Sequence, residues 1–468
     1  VTTPAIEPSP PPAPTALPRR IRLGYGVGDL GASLTFVGIN TWLLYYLVNV
    51  AGIGPVRAGL VFLLGRAFDA VLDPVMGILS DRLRWRVGRL PFVRWGAPWL
   101  ALLFAAIWAV PGWLPRHAFA SALVLTLLFS AAYTVVQVPY MALTPELAPG
   151  YDERTALSSY RVAFGTLASL LAVALPPVVV LAVTPAPALA GSAPGGWAVM
   201  GALFGALALL AYLWVGAAVP EPAHPPQQRP PAPGLQDVRE AFAITGYREL
   251  FALFVAITVG IMIVNSMLPF YLESALRIPG AQQTPVLGLL FATAVATFPL
   301  WNRLSERIGK RDALTLGLAV LVLGLLPLTL FAPPGRVGGL LVGLTMVAGF
   351  GLSAVMLLPW AMLPDVVEFD ELASGRRREG LVAALFTFGQ KLAGSVGVFA
   401  NAIAAALFGY VAGAAAQAPG TVLGLRLMTG PVAALVFVVA IVLVRRFPIT
   451  RAGHAAARAA LAERRRSP

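Results

Sequence analysis

Twelve apolar runs, each long enough to cross about 30 Å of hydrocarbon, recur along this chain with polar breaks between them. They fall near 24–48, 58–79, 95–112, 118–143, 156–183, 197–219, 249–272, 285–303, 313–331, 338–363, 381–410 and 422–444. Lipid offers no hydrogen bond to a peptide group, so only helices or a closed barrel satisfy the backbone there, and runs of this length select helices. The expected fold is an all-α membrane protein. A mean hydropathy of +0.78, with 58% hydrophobic and 12% charged residues, lies well outside the range of soluble domains.

The net charge of +13 is distributed by topology. Of 34 Lys and Arg, about 26 lie in the two tails and the even-numbered connections, against about 5 in the odd-numbered ones. This positive-inside pattern predicts a multi-pass protein of the cytoplasmic (inner) membrane with both termini in the cytoplasm. The basic charge then serves orientation and contact with anionic membrane lipids, and no aromatic-and-basic module accompanies it to suggest nucleic acid. The absence of cysteine excludes disulfides, thiolate metal sites and a cysteine nucleophile. The three histidines, His117, His224 and His454, fall in loops or tails, so no cofactor and no acid–base constellation is expected.

Residues 1–19 form a Pro-rich tail without the basic start and apolar core of a signal peptide, and 445–468 form a basic one. Between them, 20–219 and 249–444 read as two six-helix bundles, joined by a cytoplasmic linker over 220–248 whose Pro-rich stretch to Gly234 precedes a surface helix. The halves repeat each other. Ser80-Asp81-Arg82-Leu83 after helix 2 returns as Ser305-Glu306-Arg307-Ile308 after helix 8, with Gly88-Arg89 and Gly309-Lys310-Arg311 just beyond. Pro139-Tyr140-Met141-Ala142-Leu143-Thr144-Pro145-Glu146 at the end of helix 4 is echoed by Pro359-Trp360-Ala361-Met362-Leu363-Pro364-Asp365 at the end of helix 10. Helix n matches helix n+6, a parallel duplication with the layout of the major facilitator superfamily, whose solute site lies near the midplane between two bundles. The repeated Asp81, Arg82, Gly88, Arg89, Glu306 and Arg307 are candidate gating residues on the cytoplasmic face.

Within helix 2, Asp69 and Asp73 stand one turn apart in an apolar setting, beside Arg66. A carboxylate at the bilayer centre costs roughly 2.5 to 3.5 kcal/mol on insertion scales, so the pair calls for an ion or a counter-charge. The i, i+4 spacing puts both on one face, where they suit a small cation or a proton. In the alternative, Arg66 and the aspartates neutralise one another at a helix interface. Arg161 on helix 5 and Lys391 on helix 11 occupy equivalent helices of the two halves and are placed to face one central cavity, while Asp29 and Glu273 lie nearer helix ends, within reach of water. Uncharged Thr134, Gln137, Asn265 and Asn401 suit solute binding or helix packing. The string Gly26-Val27-Gly28-Asp29-Leu30-Gly31 has the spacing of a dinucleotide fingerprint without its strand, and is better explained by close helix approach.

On these residues the chain resembles the glycoside, pentoside and hexuronide cation symporters. Gly65 to Pro74, Tyr133-Thr134, Pro139-Tyr140, Tyr160-Arg161, Pro364-Asp365 and Gln390-Lys391 carry the match. The resemblance implies that Asp69, Asp73 and Thr134 bind the coupling ion, H+ or Na+, and that Arg161 and Lys391 line the sugar cavity. Arg66, Ser33, Gln137, Met141 and Trp360 complete the candidate solute site. Galactoside-transporting members have aspartates where this chain has Ser33 and Gln137, a tryptophan at Met141 and an asparagine at Leu72. Gly65 to Pro74, Val138 to Thr144 and Pro359 to Val366 are also similar to the animal sodium-dependent lysophosphatidylcholine symporters.

The expected function is cation-coupled import of a small organic solute by alternating access, in a monomer. The solute is a glycoside or anionic sugar, or alternatively a lysophospholipid-like amphiphile. A membrane-embedded enzyme acting on lipid or glycolipid is the rival class, disfavoured by short loops and scattered histidines. Counting Arg66, Arg161 and Lys391 against Asp69 and Asp73 leaves one positive charge in excess, which favours an anionic solute.

Overall fold

A computed structural model describes residues 17–463, apart from 85, 149–150, 187–188, 222–234, 375–378, 415 and several positions after 451. Most of the N-terminal tail, most of the Pro-rich linker with His224, and the Arg376 to Arg378 cluster therefore lie outside the described residues.

Twelve long helices cross the fold: α1 Arg19–Asn49, α2 Pro55–Leu83, α3 Leu90–Trp113, α4 Ala118–Leu147, α5 Tyr151–Ala174, α6 Pro194–Ala218, α7 Tyr247–Ala275, α8 Gly280–Ile308, α9 Lys310–Phe331, α10 Gly339–Ser374, α11 Glu379–Leu407 and α12 Pro419–Arg446. Eleven stretches of the described residues are long and apolar enough to span a membrane by length and composition. Helix α2 falls short because it carries Arg57, Arg66, Asp69, Asp73, Asp81 and Arg82, the charges that make it interesting.

Two boundaries differ from those expected of the sequence. The fifth apolar run breaks at Leu175, where Pro176 and Pro177 remove two backbone donors, and resumes as a short helix, Pro176–Val183. The tenth continues about three turns beyond 363, because a helix with Asp365, Glu368 and Asp370 on its last turns need not stop where its apolar run stops.

Each half packs by one scheme. In the first, α1 lies against α5 and α6, α2 against α4, and α3 against α4 and α6; in the second, α7 lies against α11 and α12, α8 against α10, and α9 against α10 and α12. The halves meet along two seams that the repeat exchanges, α2 with α11 and α5 with α8, and also where the last turns of α1 pack against α7. Gly28 and Gly31 fit this packing. A Cβ on Gly28 would sit 2.4 Å from the Tyr140 ring, and one on Gly31 would sit 3.0 Å from that of Tyr212, so these glycines admit aromatic side chains to α1 and bind no nucleotide phosphate.

The two ends of the bundle differ. At the far end, where α1 finishes, the halves are stitched together: Tyr45 donates to Glu273, whose other oxygen accepts from the Ala190 amide at 2.9 Å, and Tyr410 donates to Asn49 at 2.9 Å. At the terminal end, where α1 begins, the described ion pairs each lie within one half: Arg22 with Glu153, Arg89 with Asp81 and Glu146, Lys310 with Asp365.

Candidate functional site

Asp69 and Asp73 share a helix face, yet the fold gives them different partners. Asp73 accepts from the Lys391 ammonium on α11 through one oxygen and from the Thr134 hydroxyl on α4, at 3.0 Å, through the other. The pair therefore joins both halves. Among ion pairs whose partners are both described, it is the one that does so.

Asp69 is enclosed within the first half, only 2% exposed. One oxygen pairs with Arg66 at 3.2 Å, and Arg66 also donates to Asn40 on α1 at 2.9 Å while lying 4.5 Å above the Phe36 ring. The other Asp69 oxygen has no protein hydrogen-bond partner, and neither does the buried Thr126 hydroxyl. Both residues line a partly open cavity of about 20 Å³ between α1, α2 and α4.

Arg161 meets a third carboxylate. Its guanidinium forks onto Asp29 at 2.9 and 3.3 Å, contacts the Met141 sulfur at 2.7 Å, and lies 5.9 and 5.6 Å from the Tyr25 and Tyr140 ring centres. Asp29 keeps 14% of its side chain exposed, but it also faces Arg161, a neighbour that position along a helix does not reveal. This corrects the charge count. Three cations now face three carboxylates, and the region is neutral before any ligand arrives.

The remaining candidates divide. Gln137 is engaged by the Tyr212 hydroxyl at 3.2 Å, and Ser33 lies against Gly165 of α5, one turn beyond Asp29. Trp360 is half-exposed and packs edge-on against Phe254 and Phe386, with no contact to the charged cluster. Asn401 donates to Ser266 and the Ile263 carbonyl, a helix-packing role.

Among the gating candidates, Arg89 is a buried hub that binds Asp81 at 2.7 Å and Glu146 at 2.8 Å. Gly88 takes φ of +82°, a left-handed turn, after which Glu221 accepts from the Arg89 and Leu90 amides and caps α3. Arg82, Glu306 and Arg307 are exposed and join no such hub. In the second half the counterpart is Lys310, which reaches Asp365 at 2.6 Å, with His454 from the C-terminal segment 2.8 Å from Glu368. The pairing of Arg89 with Glu146 and of Lys310 with Asp365 was implicit in the repeated Gly-Arg/Gly-Lys and Pro-Glu/Pro-Asp signals. Thr126 and Ser130 were missed as site residues, although Thr126, Ser130 and Thr134 stand at i, i+4 and i+8.

A family model described as MFS/sugar transport protein matches residues 24–451. The glucuronide carrier protein homolog of Escherichia coli (strain K12) is 27% identical over 92% of this chain and 93% of its own length. The sodium-dependent lysophosphatidylcholine symporter 1 of Mus musculus is 26% identical over 74% of this chain and 70% of its own. Among solved structures, an inward-facing bacterial homolog of the human lysosomal transporter Spinster superposes with a TM-score of 0.66 at 14% identity, covering 92% of this chain and 96% of that one.

Proposed function

Because the chain belongs to the MFS/sugar transport protein family, we propose that it is a cation-coupled symporter that imports an anionic or glycoside-type solute by alternating access between its halves. The carrying observation is that Asp73 of one half holds Lys391 of the other. A cation arriving at Asp73 competes with the ammonium for the same carboxylate. Loading therefore frees Lys391, and a neutral region becomes one with a single mobile positive charge.

That sequence gives coupling a physical basis. The solute gains an electrostatic partner only once the cation is in place, and by linkage it raises the cation's affinity by the same factor. An anionic solute gains most, which is consistent with the glucuronide named for one relative. The lysophospholipid reading is the second choice, favoured by the relative named for lysophosphatidylcholine. Leu72 adds no oxygen beside Asp73, and this favours H+ over Na+ as the coupling ion.

The arginine asymmetry supports a terminal end in the cytoplasm and a stitched end outside. The state described here is then closed to the outside. The test is uptake into proteoliposomes under an imposed proton or sodium gradient, with glucuronides and neutral glycosides compared. Asp73→Asn should abolish gradient-driven uptake while the protein stays folded; uptake that keeps its ion dependence in this variant defeats the reading.

A further inference from the structure

The cavity beside Asp69 has a composition that helix packing does not require. Its wall is mostly aromatic and aliphatic, from Phe36, Ile39, Phe62 and Phe129, but it also takes in the Arg66–Asp69 pair, Thr126, Ser130 and Tyr133. Two of those polar groups, one Asp69 oxygen and the Thr126 hydroxyl, are buried without a protein partner. A buried polar group left unpaired costs roughly 1 to 3 kcal/mol, and more when charged, so two facing one small cavity point to a shared occupant. At about 20 Å³ the space fits one water molecule and no hydrated ion. Charge decides between water and a bare cation: Arg66 already neutralises Asp69, so a metal ion would leave an unbalanced buried charge.

We infer that this cavity is a one-water site, held by Asp69, Thr126 and Ser130, through which the coupling proton reaches the α2 carboxylates from the far end of the bundle. The inference rests on the symporter reading above and deepens it by naming the ion and its route. Thr126 precedes Ser130 and Thr134 at one-turn intervals on α4, and Thr134 is bonded to Asp73. Each interval is about 6 Å, the span of two hydrogen bonds through one water. The row starts on the side that is stitched shut and ends on the carboxylate shared between the halves. Each hop breaks one O–H bond and forms another, so water, hydroxyls and carboxylate are regenerated once the proton has passed. Thr126 and Ser130 are positioning residues, because they hold the water and touch no solute.

The test compares proton-driven uptake with solute counterflow, which needs no net proton movement, in proteoliposomes of the full chain. Thr126→Val with Ser130→Ala should lower proton-driven uptake about tenfold and leave counterflow unchanged. Should both activities fall together, Thr126→Ser in the Ser130→Ala background serves as the control. Return of proton-driven uptake with the hydroxyl supports the site, and failure to return overturns it. Unchanged proton-driven uptake in the double variant also overturns it. Uptake in the unaltered protein that responds to sodium and ignores the proton gradient overturns the proton route while leaving the symporter reading intact.

Discussion

Asp69 and Asp73 are separated by one helical turn and by very different degrees of commitment to a single half. Asp69 is sealed among α1, α2 and α4, with Arg66 from its own helix and Asn40 behind it. Asp73 is shared by α4 of the first half and α11 of the second, with part of its side chain still open. A charge enclosed in one rigid body cannot sense where the other body is, whereas one divided between two bodies cannot avoid it. Under the proposed symport mechanism, Asp73 would serve coupling between the halves, and Asp69 proton entry and the integrity of the first half.

The largest expected effect comes from breaking the shared site. Asp73→Asn should lower gradient-driven uptake by about 100-fold, within the range of strong coupling between sites. Thermal unfolding of the purified protein should change less than for Asp69→Asn, since the Asp73 side chain is 29% exposed and that of Asp69 only 3%. Asp69→Asn should lower proton-driven uptake as well, because this carboxylate holds the entry water, and should add a larger loss of stability. Arg66 would be left buried without its counter-charge, at a cost of about 3 kcal/mol read as a lowered unfolding midpoint, and Arg66→Gln added to it should restore part of the loss. Equal destabilisation by the two substitutions would erase the distinction between the carboxylates.

A smaller effect probes the solute side. Lys391→Ala should weaken binding of a glucuronide about tenfold in the presence of the coupling ion and hardly affect its neutral glycoside analogue, measured by isothermal titration. Equal weakening of both ligands would remove Lys391 as an anion partner. The smallest expected effect compares the two repeat-related hubs. Arg89→Ala removes a buried fork between two carboxylates, while Lys310→Ala removes a partly exposed contact to one, so the first should lower the unfolding midpoint more than the second.

Much of this was legible in the residues. Helix number follows from hydrocarbon thickness, the duplication from paired motifs, and the meeting of Asp73 and Thr134 from the resemblance, which set Lys391 on the solute cavity and gave no sign of its bond to Asp73. The partner of Arg161 was not legible, because a linear sequence gives depth along α1 and says nothing of the direction in which Asp29 points. Its omission turned a neutral site into a positive one and shifted the argument for an anionic solute to the cation-loaded state. The surroundings of Trp360 were not legible for a related reason: its ring packs edge-on against Phe254 and Phe386 of neighbouring helices while staying partly exposed. The Thr126-Ser130-Thr134 row was readable as a period of four, but only the enclosure beside Asp69 gives that period a meaning.

Two of the seams between the halves, α2 with α11 and α5 with α8, are exchanged by the internal repeat, yet among the described residues the ion pair sits on one of them and not on the other. A force applied on one side of a symmetric joint acts off its axis. Loosening Lys391 from Asp73 therefore exerts a turning moment on the bundles rather than pulling them straight apart, and a rocking motion becomes the natural response to loading a single charge.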